Sequence, residues 1–465
     1  MDYLKFLEQK EIMDRPSGFD VKPEDLNSVL FDWQALLVSW ALKRGRAALF
    51  EDCGLGKTIQ QLVWGEQVSR HINGPVLILA PLAVAEQTVE EGRRFGIKVN
   101  LCRNKDDVKN GINITNYEKL HKFDTSIFPG VVLDESGILK NFAGATRNAL
   151  IDAFKNTPYR LACTATPAPN DWIELGNHAE FLGVMTRSEM LATFFINDSG
   201  DTGKWRLKGH IKDNYFWKWM SSWSVMMSKP SDLGFDDDGF ILPEITYHEH
   251  FVDSDFSLNG KGRQGFFPQY VKMDLQGRRR IRRGTLDDRV QIAADFINET
   301  DDRWVIWCGL NDEGTSLTKL IDGAVEVAGR HDNDEKAKKM MDFARGDIQR
   351  IVTKPDIAGH GMNWQVCHRI AFVGLSDSWE DFYQATRRVW RFGQTESVDV
   401  HIFLAKQEGK VLKNVMRKDD QAQKMIQAMV NYTKELTKHE IMQSSRVFVE
   451  YDPQTEMEVP NWLIN

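Results

Sequence analysis

The apolar run AALF (47–50) leads straight into FEDCGLGKTIQ (50–60), and this strand, glycine loop and helix start constrain the fold more than any other stretch. Glycines let backbone N–H groups approach phosphate oxygens closely, and the start of a helix adds its positive end. Gly54, Leu55 and Gly56 would wrap phosphate, Lys57 would reach the terminal phosphates, and Thr58 would ligate magnesium. The full G-x-x-x-x-G-K-[ST] spacing asks for glycine five before Gly56, where the chain has Glu51. A chance G-K-T is common, but G-x-G-K-T between a strand and a helix is not. Such a loop belongs at the carboxyl end of a strand in a parallel sheet.

The surrounding sequence supplies that sheet. VLILA (76–80), INIT (112–115), VVL (131–133) and YRLACT (159–164) read as further strands, with helical stretches at 57–70 and 83–94 between them. VVL runs into Asp134 and Glu135, 77 and 78 residues beyond Lys57. Strand ends carry stray carboxylates often, but a phosphate loop upstream makes this pair a magnesium-associated aspartate and a water-polarising glutamate. A second series of strands, at 303–308, 350–354, 369–374 and 399–405, follows a helix at 287–298 and predicts a second α/β lobe.

Between the two series the rhythm breaks. Residues 180–285 are rich in Trp, Met, Gly and charge, including DNYFWKWMSSWSVMM (213–227), and read as a mostly helical insertion followed by an extended ILPEITYHEHFVD (241–253). Aromatics at such spacing usually pack a core; base stacking is the other outcome. Residues 256–293 hold nine Lys or Arg against three Asp, including GRRRIRR (277–283). That run is either a solvated basic loop or a phosphate-tracking surface to which Arg279 and Arg280 belong. The expected division is an N-terminal extension (1–29), lobe 1 (30–180), the Trp-rich insertion and basic linker (181–285), lobe 2 (286–409) and a helical tail (410–465).

Composition narrows the class. Apolar residues make up 42% and charged residues 27%, with no apolar run long enough for a membrane span and no apolar signal core, so a soluble, cytoplasmic protein is expected. Five scattered cysteines without a C-x-x-C pair argue against a disulfide framework or a structural zinc site, and His360 has no partner ligand near it in sequence. The net charge of −8 carries no global signal for nucleic acid.

Several further stretches, in order, resemble those of the superfamily 2 helicases and translocases, most closely the Swi/Snf-type DNA translocases. LFDWQALLVSWAL (30–42) looks like the segment whose glutamine, here Gln34, reads adenine; DCGLGKT (52–58) resembles D-E-M-G-L-G-K-T. ILAPLAVAEQTVEE (78–91) and INITNYEKL (112–120) resemble two segments that meet the nucleic-acid backbone, which implicates Pro81, Asn116 and Tyr117. LDESGILKN (133–141) is similar to L-D-E-A-H-x-I-K-N, and LACTATPAPND (161–171) to L-T-G-T-P-x-Q-N. VTKPDIAGHGMNW (352–364) looks like S-T-x-A-G-G-x-G-I-N-L, and DFYQATRRVWRFGQT (381–395) resembles Q-A-x-D-R-x-H-R-I-G-Q, the most specific match.

The resemblance, over about residues 30–405, implies two RecA-like parallel-sheet lobes in tandem, ATP and Mg²⁺ as cofactors, and DNA, double-stranded, as partner. Arg388 and Arg391 would share a face of a helix turn and reach the γ-phosphate from lobe 2, with Gln384 as a further contact. Thr164 and Thr166 would couple nucleotide to DNA, and Thr353, Gly361 and Asn363 would contact the backbone. Gly137 departs from the pattern, standing where a histidine links the acid pair to the coupling threonines; that link must be absent or rerouted. A compact bacterial or bacteriophage member, monomeric and nucleoid-associated, is expected. Motion along duplex DNA is the leading expectation. A strand-separating helicase on single-stranded or branched DNA, and an ATP-gated clamp on DNA or protein without sustained turnover, remain alternatives.

Overall fold

The computed structural model describes residues 14–442 except 82–83, 142, 170, 198–204, 209–214, 253–280, 359–361 and 377. Arg279, Arg280, His360 and Gly361 therefore lie outside the described residues.

Strands β1 (Arg46–Glu51), β2 (Pro75–Ala80), β3 (Val99–Leu101), β4 (Gly111–Asn116), β5 (Gly130–Asp134) and β6 (Tyr159–Cys163) are followed by an antiparallel hairpin of β7 (Phe195–Asn197) and β8 (Trp205–Leu207), and then by β9 (Ser224–Met227). The first sheet runs β3-β4-β2-β5-β6-β1-β9, every neighbouring pair parallel. Its strands alternate between two cores: Ala47 and Leu49 join one and Ala48 and Phe50 the other, as do Ile78 against Leu77 and Leu79. Because helices cover both faces, each strand reads in sequence as an unbroken apolar run.

The second sheet consists of β10 (Ile245–Val252), β11 (Trp304–Cys308), β12 (Ala324–Val327), β13 (Arg350–Thr353), β14 (Arg369–Val373) and β15 (Val398–Ala405). Its order is β10-β15-β14-β11-β13-β12, again parallel throughout. Two tandem parallel-sheet lobes, the RecA-like arrangement, are thus the architecture.

The segment expected as an insertion contributes to both sheets. Ala48–Glu51 of β1 pair with Ser224–Met227, and β10 pairs with β15 from Ile245↔Val398 to Val252↔Ala405. Its helices Arg187–Phe194 and Tyr215–Ser221 pack, together with Leu175–Leu182, on one face of the first sheet. Trp217, Trp219 and Trp223 are buried in that core, so they fill space and have no face to offer a base. The C-terminal helix, Gly409–Met442, is about 50 Å long at 1.5 Å per residue. Val411, Leu412 and Val415 lie in the core of lobe 2, whereas Met429 and Val430 lie in that of lobe 1 and Tyr432 stacks on Trp217 at 5.2 Å. The helix therefore straps the lobes together. Among the described residues no helix is long and apolar enough to cross a membrane.

Candidate functional site

The phosphate loop leaves β1 and enters the helix Lys57–Ile72. Gly54 and Gly56 have φ of 91° and 76°, the left-handed region that a side chain would strain. A Cβ on Gly56 would also lie 2.5 Å from the Gln34 amide nitrogen. Gln34 itself is buried; its amide donates to the Leu55 carbonyl at 2.9 Å and its oxygen accepts from Phe31 N–H at 3.0 Å. Gln34 thus holds the outer wall of the loop. Lys57 Nζ donates to the carbonyls of Glu51 (2.8 Å) and Asp52 (3.0 Å), and its charge bears on the carboxyls of Glu51 and Asp134. Thr58 follows on the first helical turn, half-buried.

Asp134 ends β5 and Glu135 follows in the left-handed region, φ 53°. A non-glycine residue there costs on the order of 1–2 kcal/mol. Asp134 Oδ1 accepts from Gln61 Nε2 at 2.8 Å and from Glu135 N–H at 3.1 Å. Burial, then the neighbouring Glu135, pushes the Asp134 carboxyl up to about 6. Gln61 was not anticipated; its place one turn past Thr58 is the only signal the sequence carries.

The loop, the acids and the threonines after β6 all stand at the carboxyl ends of adjacent strands. Thr164 and Thr166 are buried, and Thr166 N–H donates to Thr164 Oγ1 at 3.2 Å. A Cβ on Gly137 would lie 3.6 Å from both Thr164 Oγ1 and the Thr166 carbonyl, an ordinary contact distance. Gly137 thus faces the threonines without bonding them. The residue before it, Ser136, instead pairs its hydroxyl with Nε2 of the buried His178 at 3.2 Å.

Lobe 2 meets this edge through the helix Trp379–Thr386 and the turn after it. Arg388 and Arg391 lie in that turn, beyond the helix on which their spacing places them. Gln384, buried, receives Arg388 through its side-chain oxygen (2.8 Å) and carbonyl (3.0 Å), while Arg391 donates to the Met362 carbonyl at 3.2 Å. Burial and the like charge of Arg388 lower Arg391 to about 10, while Cys53, Glu91 and Glu135 act in the opposite sense, which places lobe 1 groups around it. A Cβ on Gly54 would lie 2.7 Å from Phe392 N, so the arginine turn abuts the phosphate loop itself.

Residues 33–197 match the model of the SNF2-related domain and residues 288–393 that of the helicase conserved C-terminal domain. The chain belongs to the Swi/Snf-type superfamily 2 proteins. Among relatives of this Swi/Snf-type chain, the SWI/SNF-related matrix-associated actin-dependent regulator of chromatin subfamily A-like protein 1 of Xenopus tropicalis is 30% identical over 161 residues, 32% of this chain and 17% of the relative. Helicase SWR1 of Yarrowia lipolytica is 31% identical over 170 residues, 32% of this chain and 9% of the relative. The DNA annealing helicase and endonuclease ZRANB3 of Mus musculus is 26% identical over 167 residues, 32% and 15% respectively. The matches span less than a fifth of each of these relatives.

Within this Swi/Snf-type frame, an interlobe cleft of about 500 Å³ is bordered by Pro81, Asn116, Glu135, Thr164, Thr166 and Gln384, and by no residue of the phosphate loop. Tyr117 borders it too, but is largely buried with its hydroxyl donating to the Asp134 carbonyl at 2.6 Å. Thr353 is buried away from the cleft, its hydroxyl on the Val327 carbonyl at 2.9 Å, and Asn363 Nδ2 reaches across the lobes to Glu91 at 2.7 Å. Arg282, from the basic run, pairs with Glu408 at 3.3 Å.

Three residues that sequence reasoning passed over complete the interface. Asp52 accepts from the Tyr383 hydroxyl at 2.7 Å and from Arg387 at 3.1 Å. The available signal was Arg387 itself, which stands where the block Q-A-x-D-R has an aspartate.

Proposed function

We propose that this protein is an ATP-dependent DNA motor that hydrolyses ATP with Mg²⁺ between its lobes and moves along duplex DNA. The observation that carries this reading is the convergence of Lys57, Asp134, Glu135, Arg388 and Arg391 on facing edges of two parallel sheets. The residues fit a magnesium nucleotide. The loop takes a left-handed φ at Gly54 and Gly56, Lys57 Nζ is held by two main-chain carbonyls, and Asp134 and Glu135 stand together at the end of β5. Thr58 and Asp134 supply the oxygen donors a hard cation prefers.

When bound, magnesium nucleotide supplies the scissile phosphoanhydride and neutralises its charge. Lys57 gives up two carbonyls to hold the terminal phosphates. Glu135, aimed by its backbone into the cleft, accepts a proton from water. Arg388 and Arg391 place positive charge where negative charge grows, and because they come from lobe 2, turnover requires both lobes in register. Pro81, Asn116 and the threonine pair lie on the cleft side of Glu135, the position from which a DNA backbone would sense the acid pair. Kinship with Swi/Snf-type proteins supports the duplex as track.

Steady-state ATPase rates with duplex DNA, single-stranded DNA or RNA, with Glu135→Gln as control, test the reading. Strong duplex stimulation supports it, and triplex displacement then measures movement. Preference for single strands would favour the strand-separating helicase. Tight nucleotide-dependent binding without turnover would favour the clamp.

A further inference from the structure

We propose that Asp52 and Arg387 form a latch that docks the arginine turn on the phosphate loop, making Arg387 a positioning residue for Arg388 and Arg391. The inference rests on the motor reading for its functional consequence but not for the latch itself.

Asp52 lies two residues before Gly54, and its carboxylate is fully engaged. Oδ1 accepts from Cys53 N–H at 2.6 Å and from the Tyr383 hydroxyl at 2.7 Å, and Oδ2 accepts from Arg387 at 3.1 Å. The Arg387 guanidinium lies over the Trp390 ring at 4.4 Å and near the Tyr383 ring at 5.2 Å, with little of it exposed. Packing and charge therefore hold it in one orientation. With Arg387 buried and Asp52 half-buried, breaking the pair on the aspartate side leaves a buried charge without its partner.

Two features transmit this contact to the reacting groups. Arg387 is bonded directly to Arg388, in a turn too short to absorb displacement, and the same turn carries Phe392 against Gly54. Behind it, Trp379 packs on Tyr383 at 5.1 Å and donates to Asp419 at 2.6 Å, on the helix that straps both lobes. The latch is thus braced from lobe 1, lobe 2 and the strap together. The contact thereby fixes where the arginines stand relative to the phosphate loop.

The test is energy transfer between fluorophores at the exposed Arg70 on lobe 1 and the exposed Asp312 on lobe 2, in nucleotide-free protein. Asp52→Asn and Arg387→Gln are each expected to lower transfer, with the double variant no lower than either. DNA-stimulated turnover is expected to fall about tenfold while ADP affinity stays within twofold, since ADP needs only the loop. Unchanged transfer in either single variant overturns the latch, as does a parallel loss of ADP affinity and turnover, which marks a purely structural role. Should Arg387→Gln fail to fold, Tyr383→Phe carries the same measurements. Wild-type protein without ATP turnover would remove the motor reading, and the transfer result would still decide the latch.

Discussion

The Gln34 amide donates to the Leu55 carbonyl at 2.9 Å, so a side chain from the helix Asp32–Arg44 holds the phosphate loop in shape. Its other end is fixed by Phe31 N–H. Gln34→Ala is expected to loosen the loop by removing the shorter of two bonds to the Leu55 carbonyl, leaving that from Gln60 at 3.3 Å, a loss of about 1 kcal/mol. Isothermal titration with ATP should show affinity reduced about tenfold, and thermal melting should show the loss without nucleotide.

Lys57 and Glu135 should separate binding from chemistry. Lys57→Ala is expected to abolish turnover together with nucleotide affinity. Glu135→Gln keeps the fold and the phosphate contacts but removes the proton acceptor, so ATP affinity should persist while turnover falls by about 10²–10⁴-fold. Filter binding and single-turnover hydrolysis distinguish the two.

Glu51, at the position where the spacing pattern has glycine, gives the molecule a pH-dependent stability. Burial, opposed by Lys57 and Gln60, raises its carboxyl from 4.5 to about 7. The folded state therefore holds a proton that the unfolded chain releases above 4.5. Its contribution is fully present below that value and is lost as pH rises through 7, a change of about 3 kcal/mol. Glu51→Gln should flatten the dependence of melting temperature on pH between 5 and 8, raising it at pH 8 relative to wild type.

Gly137 has room for a side chain. An added Cβ would meet Thr164, Thr166 and Glu380 only at 3.6–3.8 Å. Gly137→Ala should therefore fold with stability within about 0.5 kcal/mol of wild type by urea denaturation. Gly137→His would bring an imidazole to Thr164 and Thr166, and if the pair couples nucleotide to DNA as proposed, the ratio of DNA-stimulated to basal ATPase should rise.

The lobes, the phosphate loop and the acid pair were legible because each depends on local pattern. Strands covered on both faces are continuous apolar runs, and a glycine loop between strand and helix has few other uses. The edge strands were harder. SVMM is four residues in an aromatic segment, and ITYHEHFV, an edge strand among the described residues, carries polar residues at partly exposed positions, so neither shows the buried-strand signature. Helical spacing placed Arg388 and Arg391 on one helix face, whereas the helix ends at Thr386 and the two meet through the Met362 carbonyl instead.

The sequence by itself determined the chemistry available: a lysine and threonine after a glycine loop, two acids at a strand end, and an arginine block in a second lobe. Only the tertiary structure decided which groups face each other. Asp52 and Arg387 are 335 residues apart, and nothing in the spacing of either predicts a contact that exists because two sheets present their carboxyl edges to one another. The same holds for Gln61 beside Asp134 and Ser136 beside His178. Motif residues are set by what a ligand requires and carry their pattern along the chain. Their supports are set by which surfaces the fold brings together, and that is a property of packing.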